Sequence, residues 1–262
     1  MRGRWIAQLL AVCVVVGCAS SAPPAPRDLS VLTFNIHHGA GPDGVVDLDR
    51  VAAEIAATGA DVVALQEVDR HYGQRTGFAD QPAELAARLD MAAVFAPNYV
   101  LDPPTPGAPP REHGTVILSR LPIVSHTHTL LPRGTAAEEE QRGLLEAVVD
   151  VRGVAVRVMT THLESDFAQS RLPQAQAVAA AVQRSAEPVV LTGDLNGAPG
   201  APEVTTLTAL LADSGVHGAP TFPAWAPTAR IDYVLAGFRV VSSEVLATSS
   251  SDHRPVLAGV AL

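Results

Sequence analysis

Lysine is absent from this chain of 262 residues, and all 18 of its basic residues are arginine. Its 27 acidic residues give a formal net charge of −9 at pH 7, and aromatic residues make up 4% of the sequence. Duplex DNA binding depends largely on Lys and Arg that neutralise phosphates, and single strands are bound by stacking their bases on aromatic side chains. The composition therefore disfavours a long nucleic acid as the ligand, although a local cleft can still be positive.

Cysteine is almost as scarce, since Cys13 and Cys18 are the only two and both lie near the start. The rest of the chain can form no internal disulfide, so its stability must come from apolar burial, which a chain of this size can supply. A hydrophobic content of 47% with 17% charged residues is typical of a globular protein. No Pro-, Ser- or Gly-rich linker divides residues 30–262, which favours one domain there.

Residues 1–17 have the pattern of a secretory signal peptide. A basic start precedes an apolar stretch, residues 6–16, that is too short to span a membrane as an ordinary helix. Residues 15–18, Val-Val-Gly-Cys, resemble the bacterial lipobox, in which the cysteine becomes the first mature residue and carries lipid. We therefore predict lipidation at Cys18, a flexible tether at 18–29, and a body anchored to a membrane surface outside the cytoplasm. The alternative is a plain signal peptide with an incidental cysteine.

Apolar periodicity predicts more strands than helices, with several strands joined by hairpins. The predicted helices are residues 47–57, 81–89, 174–185 and 204–212. The predicted strands are residues 31–36, 61–65, 115–118, 123–131, 148–151, 154–161, 189–192, 231–235, 240–246 and 256–260, and the proline-rich stretch 100–110 is expected to be a loop. This pattern favours a mixed α/β domain with sheets packed inside helices.

Polar side chains at the ends of apolar strands are the informative feature, because α/β proteins often place sites at such an edge. Asn35 interrupts a buried strand, and Glu67 directly follows another. A carboxylate in that position is costly without a cation, and Glu67 is a candidate ligand for a hard divalent metal. Taken singly, each residue could equally be a structural Asn or a Glu at a solvated rim.

Two further strand ends carry residues suited to acid–base chemistry. His162 follows a strand directly and could donate to a phosphoryl oxygen or titrate, although a lone His there is more often structural. Gly193 permits a tight turn before Asp194 and Asn196, which lie two residues apart and are expected to face one side of an extended segment. One of this pair can act as a base while the other orients a nucleophile or an oxyanion.

A last cluster combines His253, its neighbour Asp252, and Asp232, which is available to hold the imidazole ring. With the earlier residues, this composition suits one Mg²⁺-like ion and phosphoryl transfer. It does not suit a structural zinc site, because the body lacks cysteine and its histidines are not closely spaced as ligands. No phosphate-cradling P-loop and no nucleophile elbow occurs in the sequence.

The order of these motifs resembles the endonuclease/exonuclease/phosphatase superfamily. The resemblance extends over residues 30–262, in the segments 33–36, 65–67, 114–120, 161–163, 193–196, 231–233 and 251–255. It implies a four-layer α/β sandwich of the DNase I-like type, in which two mixed β-sheets pack face to face and helices lie outside.

The resemblance also implies roles for the metal-side and water-side residues. Glu67 would be the main ligand of a divalent cation, Mg²⁺ or Mn²⁺. Asn35 and Asp252 would assist at the metal or its waters, and Asn35 would also contact substrate. Asp194 would orient or deprotonate the attacking water, and Asn196 would hold that water or the phosphate.

On the phosphate side, the resemblance implies that His253 stabilises the phosphoryl oxygens while Asp232 fixes its ring. His162 matches a position that contacts phosphate or supplies a proton. Arg142 matches a phosphate-binding arginine, although a loop arginine is more often solvated. His38, close to the first motif, has no role assigned.

The predicted activity is hydrolysis of a phosphodiester by a metal-dependent enzyme, with direct attack of water. The acidic body, the few aromatics and the expected membrane anchor favour a phospholipid, a sphingolipid or a small phosphoester as the substrate. A secreted endonuclease of low specificity and a catalytically silent binding module are the alternatives, and a monomer is expected.

Overall fold

The structure, a computed structural model, describes residues 28–215 and 218–262. The predicted signal peptide, Cys18 and most of the predicted tether lie outside these residues. Strand β1 begins at Asp28, so the last two residues assigned to the tether belong to the sheet. Among the described residues, no helix combines the length and the apolar character needed to cross a membrane.

The described residues form twelve strands and four α-helices. The helices are α1 (Leu48–Thr58), α2 (Gln81–Leu89), α3 (Ala168–Arg184) and α4 (Pro202–Thr208). The strands are β1 (Asp28–Asn35), β2 (Val62–Arg70), β3 (Ala92–Leu101), β4 (Arg111–Ser119), β5 (Ile123–Leu130), β6 (Gly143–Val151), β7 (Val154–His162), β8 (Val189–Asp194), β9 (Ala212–Asp213), β10 (Asp232–Ala236), β11 (Arg239–Val245) and β12 (Val256–Ala261).

Two mixed six-stranded sheets are built from these strands. The first has the order β11-β12-β1-β2-β4-β3, and the second has the order β5-β6-β7-β8-β10-β9. Each sheet contains one parallel pair, β1 with β2 and β7 with β8, and its other pairs are antiparallel. In each parallel pair the carboxyl ends of both strands lie at the same edge, so polar residues that follow them meet there.

Three apolar cores separate four layers, which confirms the predicted sandwich. The central core lies between the sheets and includes Val31 and Val62 from the first sheet and Leu145 and Val234 from the second. A second core joins the first sheet to α1 and α2, and a third joins the second sheet to α3 and α4. Alternation along each strand sends one set of side chains to the central core and the other to the helices.

The packing between the sheets becomes polar towards the edge where the parallel strands end. The Gln66 amide donates to Thr33 at 3.1 Å within the first sheet and to Thr160 of the second sheet at 2.9 Å. All three side chains are buried. A buried polar group is tolerated when it is hydrogen-bonded, so this layer lets the sheets stay packed while they approach a polar site.

A β-bulge in β2 determines where its acidic residue points. Val63 and Leu65 face the helices, and strict alternation would send Glu67 to the same side. The register between β2 and β4 shifts between Leu65 and Val68, and Glu67 has a φ of 56°. Val68 therefore takes the helix-facing position, and Glu67 is the extra residue that turns towards the polar edge.

One strand was missed, and several predicted elements have wrong bounds; the predicted strands 61–65, 115–118 and 148–151 are the longer β2, β4 and β6. Strand β3 was not predicted, and its last two residues lie in the stretch 100–110 that was expected to be a loop. Helix α3 begins at Ala168 and continues through Pro173, because buried side chains on both sides of the proline pack it against the second sheet. Helix α4 spans Pro202–Thr208, and its predicted last residue lies in β9.

The central core should dominate the stability of the sandwich. We expect Leu145→Ala, at a fully buried position between the sheets, to lower the free energy of unfolding by about 2–5 kcal/mol because it leaves a cavity. The matched control is Leu130→Ala on β5, where the side chain is 55% exposed and the loss should stay within about 0.5 kcal/mol. Urea unfolding at neutral pH measures both, and equal losses would contradict the assignment of this core.

Candidate active site

The side chain of Asn35 lies at the centre of the polar edge, between the two sheets. Its Nδ2 donates to Oε1 of Glu67 at 2.9 Å and to Oδ2 of Asp194 at 3.1 Å. Its Oδ1 accepts the backbone N–H of His37 at 3.1 Å. Three of the predicted site residues, from β1, β2 and β8, are therefore joined by one amide.

Glu67 is kept ionised by its neighbours. Burial raises the pKa of its carboxyl, but the hydrogen bond from Asn35 and the nearby His113, His37 and His253 outweigh burial and hold the pKa below its usual range. An ionised carboxylate at this position is available as an oxygen ligand.

The predicted pairing of His253 with Asp232 is present. Nδ1 of His253 lies 3.0 Å from Oδ2 of Asp232 and 3.6 Å from Oδ2 of Asp194. Burial lowers the pKa of His253, but the two carboxylates more than offset this and raise it to about 10. The imidazole is therefore a cation at neutral pH, as a ligand for phosphoryl oxygens should be.

Asp194 is almost completely buried, at 1% exposure, and faces Asp232 across the β8–β10 pair. Burial and the charge of Asp232 raise the pKa of the Asp194 carboxyl to about 7. A carboxyl that exchanges its proton near neutral pH suits a general base.

The segment after Asp194 turns instead of staying extended as predicted. The Asn196 N–H donates to Oδ1 of Asp194 at 2.9 Å, and Asn196 has a φ of 48°. The Asn196 amide donates to the carbonyl of Leu163 at 3.0 Å. Gly193 lies inside β8 and is needed for close strand packing, because a Cβ there would collide with the carbonyl oxygen of Thr161.

Arg142, the predicted phosphate-binding arginine, is buried at 3% exposure, whereas a loop arginine is more often solvated. Its Nε donates to Glu164 at 3.2 Å, and its Nη1 lies 3.2 Å from both Nδ1 of His162 and a carboxylate oxygen of Glu140. Because a guanidinium can only donate, Nδ1 of His162 is the acceptor.

His162 approaches Asp194 with its other nitrogen, Nε2, which lies 3.5 Å from Oδ2 of that carboxylate. Burial, together with the positive charge of Arg142, holds the pKa of His162 well below its usual range. The ring is therefore neutral at physiological pH, which suits a contact with phosphate better than the supply of a proton.

A pocket of about 400 Å³ opens onto these groups. It is lined by every predicted site residue except the inward-facing Asn35 and Asp232: Glu67, Arg142, His162, Asp194, Asn196, Asp252 and His253. Next to Asp252, the Ser251 hydroxyl donates to the backbone carbonyl of Asn35 at 2.6 Å and lies 3.3 Å from Oδ1 of Asp252. The structure thus brings the predicted set together, and the individual roles remain predictions.

One wall of the pocket was missed from the sequence. Asp69 is fully buried, accepts two 2.8 Å hydrogen bonds from Arg75, and lies 2.7 Å from Nδ1 of His113. Arg75 lies over Tyr72 at 4.3 Å from the ring centroid, and Tyr99 stacks on His113 at 5.4 Å. A usable signal existed, because a carboxylate two residues after Glu67 in the same strand also needs partners.

The donor set at the polar edge fits a divalent cation. The half-buried Glu67 lies near the almost completely buried Asp194 and Asp232, and Arg142 is already engaged by Glu140 and Glu164. Buried carboxylates without enough positive charge are costly, and carboxylate and amide oxygens are the donors that Mg²⁺ and Mn²⁺ prefer. Glu67, Asn35 and Asp252 are the residues that would hold such an ion.

A family model described as the endonuclease/exonuclease/phosphatase family matches residues 32–253. The chain belongs to this family. The match includes both the Asn35–Glu67 pair and the Asp194–Asp232–His253 cluster, and the reactions in the family name all break phosphoester bonds. None of the curated proteins matches the chain.

Solved structures of family members are similar over most of the chain. An endonuclease/exonuclease/phosphatase from Beutenbergia cavernae is 32% identical with a TM-score of 0.73, over 90% of this chain and 72% of that one. A family protein from Bacteroides thetaiotaomicron is 19% identical with a TM-score of 0.71, over 90% and 98%. A mannosyl-6-phosphatase from the same species is 18% identical with a TM-score of 0.68, over 88% and 98%. The last two likenesses are evidence of the fold alone.

The pKa values of the two buried histidines, His253 and His162, should lie on opposite sides of that of an ordinary imidazole. In metal-free protein we expect His253 to stay protonated at pH 8 and His162 to stay neutral at pH 6. The stabilisation from His253 is then fully present below pH 6.5 and is lost as the pH rises through about 10. For His162 the sign is opposite. The free energy of unfolding falls as the pH drops below 6.5, because the ring is then protonated in the unfolded chain but stays neutral in the folded one.

Ring Cε1–H chemical shifts followed against pH by NMR measure both states, with His253→Gln and His162→Gln to assign the signals. The reference is the urea-unfolded protein, whose histidines should titrate near ~6.5. Two native signals that also titrate there would contradict the environments described for these rings.

Proposed function

We propose that the chain is a divalent-metal-dependent phosphoester hydrolase, more specifically a phosphodiesterase, in which water attacks phosphorus directly. The observation that carries this proposal is the Asn35 amide, which joins Glu67 on one sheet to Asp194 on the other beside His253. A metal-ligating carboxylate, a general base and a cationic phosphate ligand then border one pocket. Membership of a family that cuts phosphoester bonds supports the same reaction.

A bound Mg²⁺ or Mn²⁺ would polarise the scissile phosphoryl oxygen and stabilise charge on the leaving oxygen. Asp194 accepts the proton of the attacking water, since its pKa of about 7 keeps it partly deprotonated at neutral pH. The new P–O bond forms as the bond to the leaving oxygen breaks, and that oxygen takes its proton from solvent. No covalent intermediate with the protein is needed.

The remaining residues position the phosphoryl group. His253 is a cation held by Asp232 and stabilises charge on the phosphoryl oxygens. His162 is neutral, and its Nδ1 accepts from Arg142, so its Nε2–H is the donor that faces Asp194 and the pocket. This favours the phosphate-contact role for His162 over the proton-supply role.

The pocket favours a small head group over a nucleic acid. About 400 Å³ accommodates a small molecule, and Glu138, Glu140 and Asp166 add negative charge at its lining. These carboxylates repel a polyanion and can accept hydrogen bonds from hydroxyl groups. We therefore propose a phospholipid or sphingolipid head group, or another small phosphoester, with a secreted endonuclease as the second candidate.

Hydrolysis should depend on both the ion and Asp194. We expect EDTA-stripped protein to be inactive and Mg²⁺ or Mn²⁺ to restore turnover of bis-p-nitrophenyl phosphate or sphingomyelin vesicles in preference to plasmid DNA. Asp194→Asn should lower kcat by about 10²–10⁴-fold because it removes the general base, with little change in thermal unfolding.

Asp49→Asn is the matched control, since Asp49 is an aspartate on α1 with an 85% exposed side chain. This variant should keep wild-type turnover. Wild-type activity in Asp194→Asn would overturn the assignment of this residue as the base. Strong plasmid nicking at physiological salt would make DNA, and not a lipid, the preferred substrate. No turnover of any phosphoester would support a binding module.

We also propose that the chain is a lipoprotein on an extracytoplasmic membrane surface, as residues 15–18 suggest. Cys18→Ser should move the protein from the membrane fraction to the soluble fraction of an expressing bacterium, because the lipid attachment site is lost. Cys13→Ser, in the apolar stretch of the leader, should leave fractionation unchanged. An identical distribution of both variants and the wild type would contradict lipidation at Cys18.

A further inference from the structure

Two adjacent histidines that have no assigned role lie beside Glu67. His37 and His38 follow β1 in a short 3-10 turn, with φ values of 45° and 46°. This left-handed conformation is unfavourable for two successive non-glycine residues. The two rings meet edge to face at 4.5 Å, and both lie close to Glu67.

His37 contacts two of the predicted metal ligands. Its backbone N–H donates to Oδ1 of Asn35 at 3.1 Å, and its Nδ1 lies 3.7 Å from Oδ1 of Asp252. The imidazole of His37 therefore lies next to Asn35 and Asp252, two of the oxygen donors that are predicted to bind the ion.

The rings also meet Glu67 in an arrangement suited to a ligand. One ring nitrogen of His37, one of His38 and one carboxylate oxygen of Glu67 all lie within 4.8 Å of one another. Donor atoms around one transition-metal ion sit about 2.0–2.2 Å from it, so a small closure of the side chains would bring all three into contact.

The Nδ1 atoms of His37 and His38 take part in no hydrogen bond within residues 28–215 and 218–262. Both atoms are buried. His113 and His253 differ, since Nδ1 of His113 is held by Asp69 at 2.7 Å and Nδ1 of His253 by Asp232 at 3.0 Å. Buried polar atoms are normally satisfied, so the two orphan nitrogens require an explanation.

We propose that His37 and His38 join Glu67 in holding a first-row transition-metal dication, such as Mn²⁺, Co²⁺ or Zn²⁺, which this site binds in preference to Mg²⁺. Imidazole nitrogen is a good donor for these ions, whereas Mg²⁺ selects oxygen. The inference deepens the proposed metal-dependent hydrolase and rests on it, and it concerns which ion is bound.

The test measures binding without substrate. Isothermal titration of the metal-free full chain with Zn²⁺, Mn²⁺ and Mg²⁺ gives affinities, and Cys13→Ser with Cys18→Ser removes the thiols that would also bind zinc. The test variants are His37→Asn and His38→Asn, because Asn tolerates the left-handed backbone and keeps an oxygen donor. Pulsed EPR of bound Mn²⁺ detects a directly coordinated imidazole through its ¹⁴N coupling.

We expect Zn²⁺ and Mn²⁺ to bind more tightly than Mg²⁺. The two substitutions combined in one protein should weaken Zn²⁺ binding at least about 10-fold, because the loss of even an outer-shell partner of a metal ligand has an effect of that size. They should also remove the ¹⁴N signal. His126→Asn on the exposed strand β5 is the matched control and should change nothing.

Unchanged affinities in the variants, or Mn²⁺ without ¹⁴N coupling, would overturn the histidine ligands. Glu67→Gln separates this outcome from a failure of the proposed function. If that variant abolishes Mg²⁺ binding and phosphoester turnover while the histidine variants keep both, the hydrolase stands with an all-oxygen site. If the wild type binds no divalent ion, both proposals fail.

Discussion

The Asn35 amide is the group on which the arrangement of the candidate site depends. Its Nδ2 donates to Glu67 on the first sheet and to Asp194 on the second, so this one side chain connects the two sheets at the site. Its backbone carbonyl also accepts from Ser251, which fixes the loop that carries Asp252 and His253. Loss of this amide would remove the donor shared by the half-buried Glu67 and the buried Asp194, and a hydrogen bond lost at a site as buried as Asp194 costs about 1–3 kcal/mol.

Much of the fold and of the candidate site could be predicted from the sequence, because both depend on local patterns. Apolar runs identify strands, and a polar residue directly after such a run marks the edge of a sheet. Asn35, Glu67, His162 and Asp194 all follow this rule. Their order along the chain resembles one family, and that resemblance supplied Arg142 and the two packed sheets.

Features that depend on tertiary contacts could not be predicted. Strand β3 carries exposed residues and a proline, Pro97, so its pattern is weak, and pairing with β4 determines it. The wall around Asp69 joins residues far apart in sequence, such as Arg75 and His113. Arg142 is buried with the carboxylate of Glu164, to which it donates a hydrogen bond, and the composition of the loop does not indicate this partner 22 residues away.

The bulge in β2 makes strand length, and not only residue identity, part of the chemistry. One extra residue between Leu65 and Val68 turns Glu67 out of the helix-facing row. A chain without Gln66 could pair as a regular strand and keep Val68 in its core, yet its carboxylate would take the place of the Gln66 amide between the sheets. Foldability and function are thus encoded separately in this segment, and a sequence can retain every catalytic residue type while losing the site through its spacing.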